Sequence, residues 1–143
     1  MSTVNQILGA KGKDVWSIGP DEPVLDALKL MAEKDVGALL VLHESAVVGI
    51  LSERDYARKI VLKGKRSMST PVSEIMTKEV IFVQPEASIR DCMELMTSSR
   101  IRHLPVMNGN QLIGLISIGD VVREIISDHE MKIEQLENYI KGY

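Results

Sequence analysis

Two serine–aspartate pairs at one spacing are the residues of this chain best suited to chemistry: Ser52 with Asp55, and Ser117 with Asp120. Each pair ends an apolar run that starts at a glycine. The runs are Gly49-Ile50-Leu51-Ser52-Glu53-Arg54-Asp55 and Gly114-Leu115-Ile116-Ser117-Ile118-Gly119-Asp120. The pattern reads as a strand entering a helix, with a hydroxyl at the junction and a carboxylate one turn on. A serine there caps the free amides of the first turn, and Ser-x-x-acid is a capping-box-like pattern. The same arrangement suits a nucleotide. Free amides and the helix dipole attract a phosphate, the serine adds a donor, and a carboxylate can accept from both hydroxyls of a ribose. One copy alone favours capping; two copies shift the balance towards a sugar-phosphate.

Other chemistry is less well supported. Gly9-Ala10-Lys11-Gly12-Lys13 hints at a phosphate loop, but it is too short for Gly-x4-Gly-Lys and follows no strand. His43, His103 and His129 fall in different elements without metal spacing, so no metal site is expected. Ser117, His103 and Asp120 do not make a triad, because serine and aspartate on one helical turn leave no histidine between them. With no nucleophile–base pair, the chain reads as a non-enzyme. Cys92, the single cysteine, sits on an apolar helix face and reads as core packing.

The elements that position the two pairs come in duplicate. Residues 15–60 align with 80–125 without a gap at an offset of 65, and 12 of the 46 positions are identical. Unrelated segments would share roughly three by average residue usage. In the first copy, Val4, Ile7 and Leu8 form a short helix, Gly9 to Lys13 a loop, and Val15 to Ile18 a strand. A helix with Leu25, Leu28 and Ala32 on one face follows Pro23 and ends by Gly37. The continuous run Ala38–Leu42 and the segment Val47–Leu51 are strands around a turn at His43 to Ala46, and a helix spans 53–62. Lys63 to Thr70 is a polar, basic linker. The order then restarts, with Val72, Ile75 and Met76 as helix, Val80 to Val83 as strand, and a hairpin around Asn108-Gly109-Asn110. From Val121 to Lys141 there is no proline or glycine, and Val122, Ile126, His129, Ile133, Leu136 and Ile140 recur as a coiled-coil-like seam. That helix either folds over its own protomer or forms a dimer contact. The expected segments are 1–65, 66–126 and a C-terminal helical extension, 127–143. Each repeat is too small to bury much alone, so the two are expected to share one core.

Composition narrows the function. The chain is 143 residues long and 45% apolar, with a net charge of −3, which disfavours a nucleic-acid partner. No apolar run approaches the roughly 20 residues that span a bilayer, and the start lacks a basic and apolar leader. The expectation is a cytoplasmic protein with no membrane partner.

The sequence resembles the cystathionine β-synthase (CBS) domain family, specifically a stand-alone tandem pair. The resemblance covers residues 1–126. It rests on Val72-Ser73-Glu74-Ile75-Met76-Thr77, Val83-x-Pro85, Ile101-Arg102-His103-Leu104-Pro105-Val106 and both Gly-x-x-Ser-x-x-Asp phrases. It implies an α/β (α+β) fold of two β-α-β-β-α units in pseudo-twofold packing, a Bateman module. It further implies a regulatory module, often a homodimer, that binds an adenine nucleotide (AMP, ADP, ATP or NAD(H)) in clefts between the units without catalysis, and that acts on a separate protein target. The alternative is a structural dimerisation module with empty clefts. Carried over from the family, one cleft joins Ser52, Arg54 and Asp55 to Val80, Ile81, Arg102, His103, Leu104 and Pro105. The other joins Ser117, Gly119 and Asp120 to Val15, Trp16, Gly37, Ala38 and Leu39. Arg54, Arg102 and His103 make the first the expected phosphate site, and the second the less positive one.

Overall fold

A computed structural model describes residues 2–141, so Met1, Gly142 and Tyr143, at the outer ends of the expected segments 1–65 and 127–143, lie outside the description. The fold is mixed α/β. Its compact units are not the two repeats as cut in the linker. Residues 15–80 form a continuous unit, and among the described residues 2–14 with 81–141 form a split unit.

The continuous unit holds a three-stranded sheet in the order β1-β2-β3, from β1 (Ser17–Ile18), β2 (Ala38–His43) and β3 (Ala46–Ser52). β1 runs parallel to β2, and β2 antiparallel to β3. Between β1 and β2 lies helix α2 (Val24–Lys34), which buries Val24, Ala27 and Met31. It stops at Asp35, not at Gly37. Asp35 takes a left-handed φ of 53° and returns its N–H to the Met31 carbonyl. Helix α3 (Glu53–Tyr56) leaves β3 and runs into a π-helical turn over Ala57–Val61, where one regular helix had been expected. After the linker comes α4 (Val72–Ile75).

The split unit opens with α1 (Val4–Lys11) and continues with α5 (Ile89–Ser99), strands β4 (His103–Asn108) and β5 (Gln111–Ser117), and α6 (Ile118–Lys141). The duplication shows in detail. α5 ends at Arg100, the counterpart of Asp35, again left-handed, at φ 54°. Both hairpins carry a register shift at the same place, between Val41 and Leu42 and between Val106 and Met107.

Two further expectations fail. The segment Val80 to Val83 is not a strand; only Val83 bridges to Val106. In the continuous unit the Leu40 amide donates to the Trp16 carbonyl at 3.3 Å. Pro105 stands at the position of Leu40 and has no N–H to give, so the second ladder shrinks to one bridge. Secondly, Gly9 to Lys11 are not loop. They continue α1, which ends at Gly12 with φ 95°.

Each unit has its own buried cluster. Val24, Ala27, Met31, Leu39, Val41, Leu51, Ile60, Val72 and Ile75 fill the continuous unit. Val4, Ile7, Leu8, Ile89, Cys92, Met96, Leu104, Val106, Ile116 and Val121 fill the split unit. Each cluster thus takes its opening helix from the other repeat. The repeated glycines make this possible. A Cβ on Gly114 would lie 2.6 Å from Leu8 Cδ2, and a Cβ on Gly49 would lie 2.7 Å from Met76 Sδ and 3.0 Å from the Thr77 carbonyl. Neither glycine has a left-handed φ; both are there for close approach.

Candidate functional site

Both serine–aspartate pairs cap their helices. The Asp55 amide donates to Ser52 Oγ at 3.2 Å, and the Ser52 amide donates to Asp55 Oδ2 at 3.0 Å. The Asp120 amide donates to Ser117 Oγ at 3.2 Å, and the Ser117 amide to Asp120 Oδ2 at 2.8 Å. The chain contains an internal control. Ser88 and Asp91 form the same box at the start of α5, but at the surface. Asp55 and Asp120 differ from it. They are buried to 9% and 7% exposure, and each gathers donors that capping does not require.

Around Asp55 the extra donors are Thr77 Oγ1, at 3.2 Å from Oδ1, and Lys59 Nζ, at 3.1 Å. Lys59 also donates to the Ile75 carbonyl. The Thr77 amide donates to the Ile50 carbonyl at 2.8 Å, which fixes the threonine beside the aspartate.

Around Asp120 the partners are cations. Lys11 Nζ lies 2.6 Å from Oδ2 and also donates to the Leu115 carbonyl at 2.8 Å. Arg123 Nη2 pairs with Oδ1. Ile50 and Leu115 are counterparts in the repeat. One ammonium therefore takes over two contacts that Thr77 makes in the other unit, one through its amide and one through its hydroxyl. The packing explains why. Leu8 occupies the place of Met76, so the residue in the place of Thr77 is Gly9, which has no side chain. The longer helix α1 carries Lys11 into the gap.

The electrostatics follow. Burial raises the Asp120 pKa, but the Lys11 hydrogen bond, the Ser117 amide and the Lys11 charge outweigh it, so the carboxyl sits below its usual value. His103 faces Ser117 across the β4–β5 ladder. Its pKa lies below 6.5 through burial first, then through the charges of Lys11 and Arg102, with Asp120 opposing. At neutral pH it is a neutral imidazole within a cationic cluster.

The residues expected from the sequence are sorted by unit. Ile81, Arg102, His103, Leu104 and Pro105 belong to the split unit with Ser117, Gly119 and Asp120; the Ile118 amide donates to the Arg102 carbonyl at 2.8 Å. Val15, Trp16, Gly37, Ala38, Leu39 and Val80 belong to the continuous unit with Ser52, Arg54 and Asp55; Ala38 pairs with Ser52, and the Glu53 amide donates to the Gly37 carbonyl. The sequence-based groups had crossed these sets. Within each unit the hairpin aligns its own first strand with its own serine. Lys11 and Arg123 pair with Asp120, and Lys59 pairs with Asp55. Leu39 and Leu104 are fully buried in the cores, so they can offer a ligand only backbone atoms. Trp16 is 36% exposed, with the Lys34 ammonium 4.4 Å from its ring centroid, so it is not core. Arg123 pairs with Asp120, and on Asp55 the pairing cation is Lys59.

Lys11, Thr77 and Lys59 were not anticipated as site residues. Thr77 lay in plain view at the end of the Val72–Thr77 phrase. Lys11 lay in the Gly9–Lys13 segment that was set aside as a phosphate loop, and its role depends on a helix reaching the other repeat. A concavity of about 460 Å³ in the continuous unit is lined by Leu28, Met31, Val36, Gly37, Glu53 and Tyr56. Neither Ser52 nor Asp55 lines it, so it is distinct from the serine–aspartate junction. Among the described residues no group of histidine, cysteine and carboxylate side chains could hold a metal ion, and no helix is long and apolar enough to cross a membrane.

Comparison with known proteins places this geometry. The CBS domain model matches twice, at residues 11–62 and 72–127. The chain is 42% identical to the CBS domain-containing protein CBSX3, mitochondrial, of Arabidopsis thaliana, over 99% of this chain and 73% of that protein. A solved CBS-domain protein from Burkholderia ambifaria is 52% identical, with a TM-score of 0.87 over 89% of this chain and 96% of that one. More distantly, at 21% identity and a TM-score of 0.78, the fold matches a CBS domain pair solved with 5′-methylthioadenosine and S-adenosyl-L-methionine, over 90% of this chain and 98% of that one. Two matched repeats, one fold and the paired serine–aspartate junctions make this chain a member of the CBS domain family, with its CBS domains in tandem.

Proposed function

We propose that this chain is a regulatory module that binds an adenine nucleotide, AMP, ADP, ATP or NAD(H), at Asp55 and Asp120 and does not turn it over. The observation that carries the reading is the difference between Asp91 and the other two capping aspartates. Asp55 and Asp120 are buried and ringed by donors, and a carboxylate so placed can exchange those donors for the hydroxyls of a ribose. The adenosine compounds held by the distant CBS pair support an adenosine ligand of some kind. On this reading ligand binding shifts the packing of the chain, and a homodimer passes the shift to a separate protein target as an energy or redox signal. The apolar stripe on α6 supports a homodimer, since Ile126, Ile133 and Leu136 are each more than half exposed. The cytoplasmic setting expected from the sequence is left open by a relative named as mitochondrial.

A second reading has its own observation. Both aspartates are fully partnered within the chain, as in a purely structural dimerisation module. Native mass spectrometry of the purified protein, with calorimetric titration of AMP, ATP, NAD and S-adenosyl-L-methionine, separates the two. The nucleotide reading expects a saturable heat for at least one adenosine compound, its loss in Asp55→Asn/Asp120→Asn, and no product on prolonged incubation. Absence of binding by all four would leave the structural reading.

A further inference from the structure

The two carboxylates are alike in position and unlike in company. Beyond its capping serine, Asp55 is met by one neutral hydroxyl and one ammonium, and Asp120 by an ammonium and a guanidinium, with Arg102 near enough to act on His103. The ammonium at Asp120 is also placed to move. Lys11 is the last residue of α1, its side chain is 34% exposed, and Gly12 behind it is in open space. A ribose diol that takes the Asp120 oxygens displaces Lys11. An ammonium displaced from a buried carboxylate either returns to water or pairs with another anion close by, and a lysine stem can swing its head by several ångströms while the helix stays put.

We propose that Lys11 is a specificity-determining residue that makes the Asp120 site select phosphorylated adenosines over uncharged ones. When the diol binds Asp120, the Lys11 ammonium passes to the ligand phosphate, so a phosphorylated ligand replaces the contact it breaks. Unphosphorylated adenosine breaks that contact without replacing it. This inference rests on the nucleotide reading above.

The test uses the full chain carrying Asp55→Asn, so that only the Asp120 site reports. AMP and adenosine are titrated by calorimetry into this background, into the same background with Lys11→Met, and into it with Lys11→Arg. The expected result is tighter binding of AMP than of adenosine in the background protein. Lys11→Met lowers that ratio by about tenfold or more, the range of one charge-assisted hydrogen bond, and leaves adenosine unchanged or tighter. Lys11→Arg keeps the ratio within a few-fold. Loss of both ligands in equal measure in Lys11→Met makes Lys11 structural and overturns the proposal, as does an unchanged ratio. In both of those outcomes the nucleotide reading survives, because the background protein still binds. Failure of the background and the unmodified chain to bind either ligand overturns both. Unfolding of Lys11→Met, checked by circular dichroism, leaves Lys11→Arg to decide: a ratio collapsed despite the retained charge also overturns the proposal.

Discussion

Replacing Gly114 with alanine tests the reasoning on which the split unit stands. A Cβ at this position would lie 2.6 Å from Leu8 Cδ2 and 3.1 Å from Cδ1, against ordinary contacts of at least 3.4 Å. Leu8 is 1% exposed in a packed cluster and cannot retreat into solvent. Something must move by close to an ångström, and overpacking of this kind costs about 1–3 kcal/mol. Taking about 2 kcal/mol, the melting temperature of the transition that includes the split unit falls by roughly 4–8 °C. The assay is thermal and urea unfolding of Gly114→Ala, of Leu8→Ala and of the double variant. Leu8→Ala alone is expected to cost about 2–5 kcal/mol through the cavity it leaves. In its background, adding Gly114→Ala should cost less than about 0.5 kcal/mol, because the atoms that clashed are gone. If Gly114→Ala costs the same with and without Leu8, the glycine serves the strand backbone and the close-approach argument is wrong. Lys11 follows Leu8 by three positions and shares its side of α1, so the same clash should also loosen the Lys11–Asp120 pair.

Two further predictions concern the site. By NMR, His103 should titrate below 6.5 and Lys11→Met should move its midpoint upwards, since Lys11 is one of the charges that lowers it. Because the folded-state pKa is the lower one, the unfolded chain takes up the proton first. Stability is then whole above about 6.5 and is lost as pH falls from there to the folded midpoint, a slope that His103→Gln should flatten. Ser52→Ala and Ser117→Ala should each cost about 1 kcal/mol through the lost helix cap. A cost indistinguishable from zero by urea denaturation would mean the capping geometry contributes nothing to stability.

The sequence announced the duplication, the hairpins and the two serine–aspartate junctions because each is a local pattern. Strand alternation, Asn108-Gly109, and Gly-x-x-Ser-x-x-Asp all act within a few residues. What escaped it was set by contacts between distant segments. Pro105 trims a strand some twenty residues away by withholding one N–H. Asp35 and Arg100 end their helices in a glycine-like conformation that their side chains do not advertise. Lys11 read as loop because the partner that gives it meaning, Asp120, lies in the other repeat.

The nesting of one unit inside the other has a consequence for synthesis. Residues 15–80 leave the ribosome as an uninterrupted stretch that holds its whole buried cluster, so this unit can close while the rest is still being made. Helix α1 emerges before all of it and finishes last. The cluster that covers Val4, Ile7 and Leu8 is complete only when β5 and the start of α6 have been translated, a hundred residues later. For that interval the nascent chain carries a greasy eight-residue segment ahead of the closed unit, and the order of assembly runs from the middle outwards.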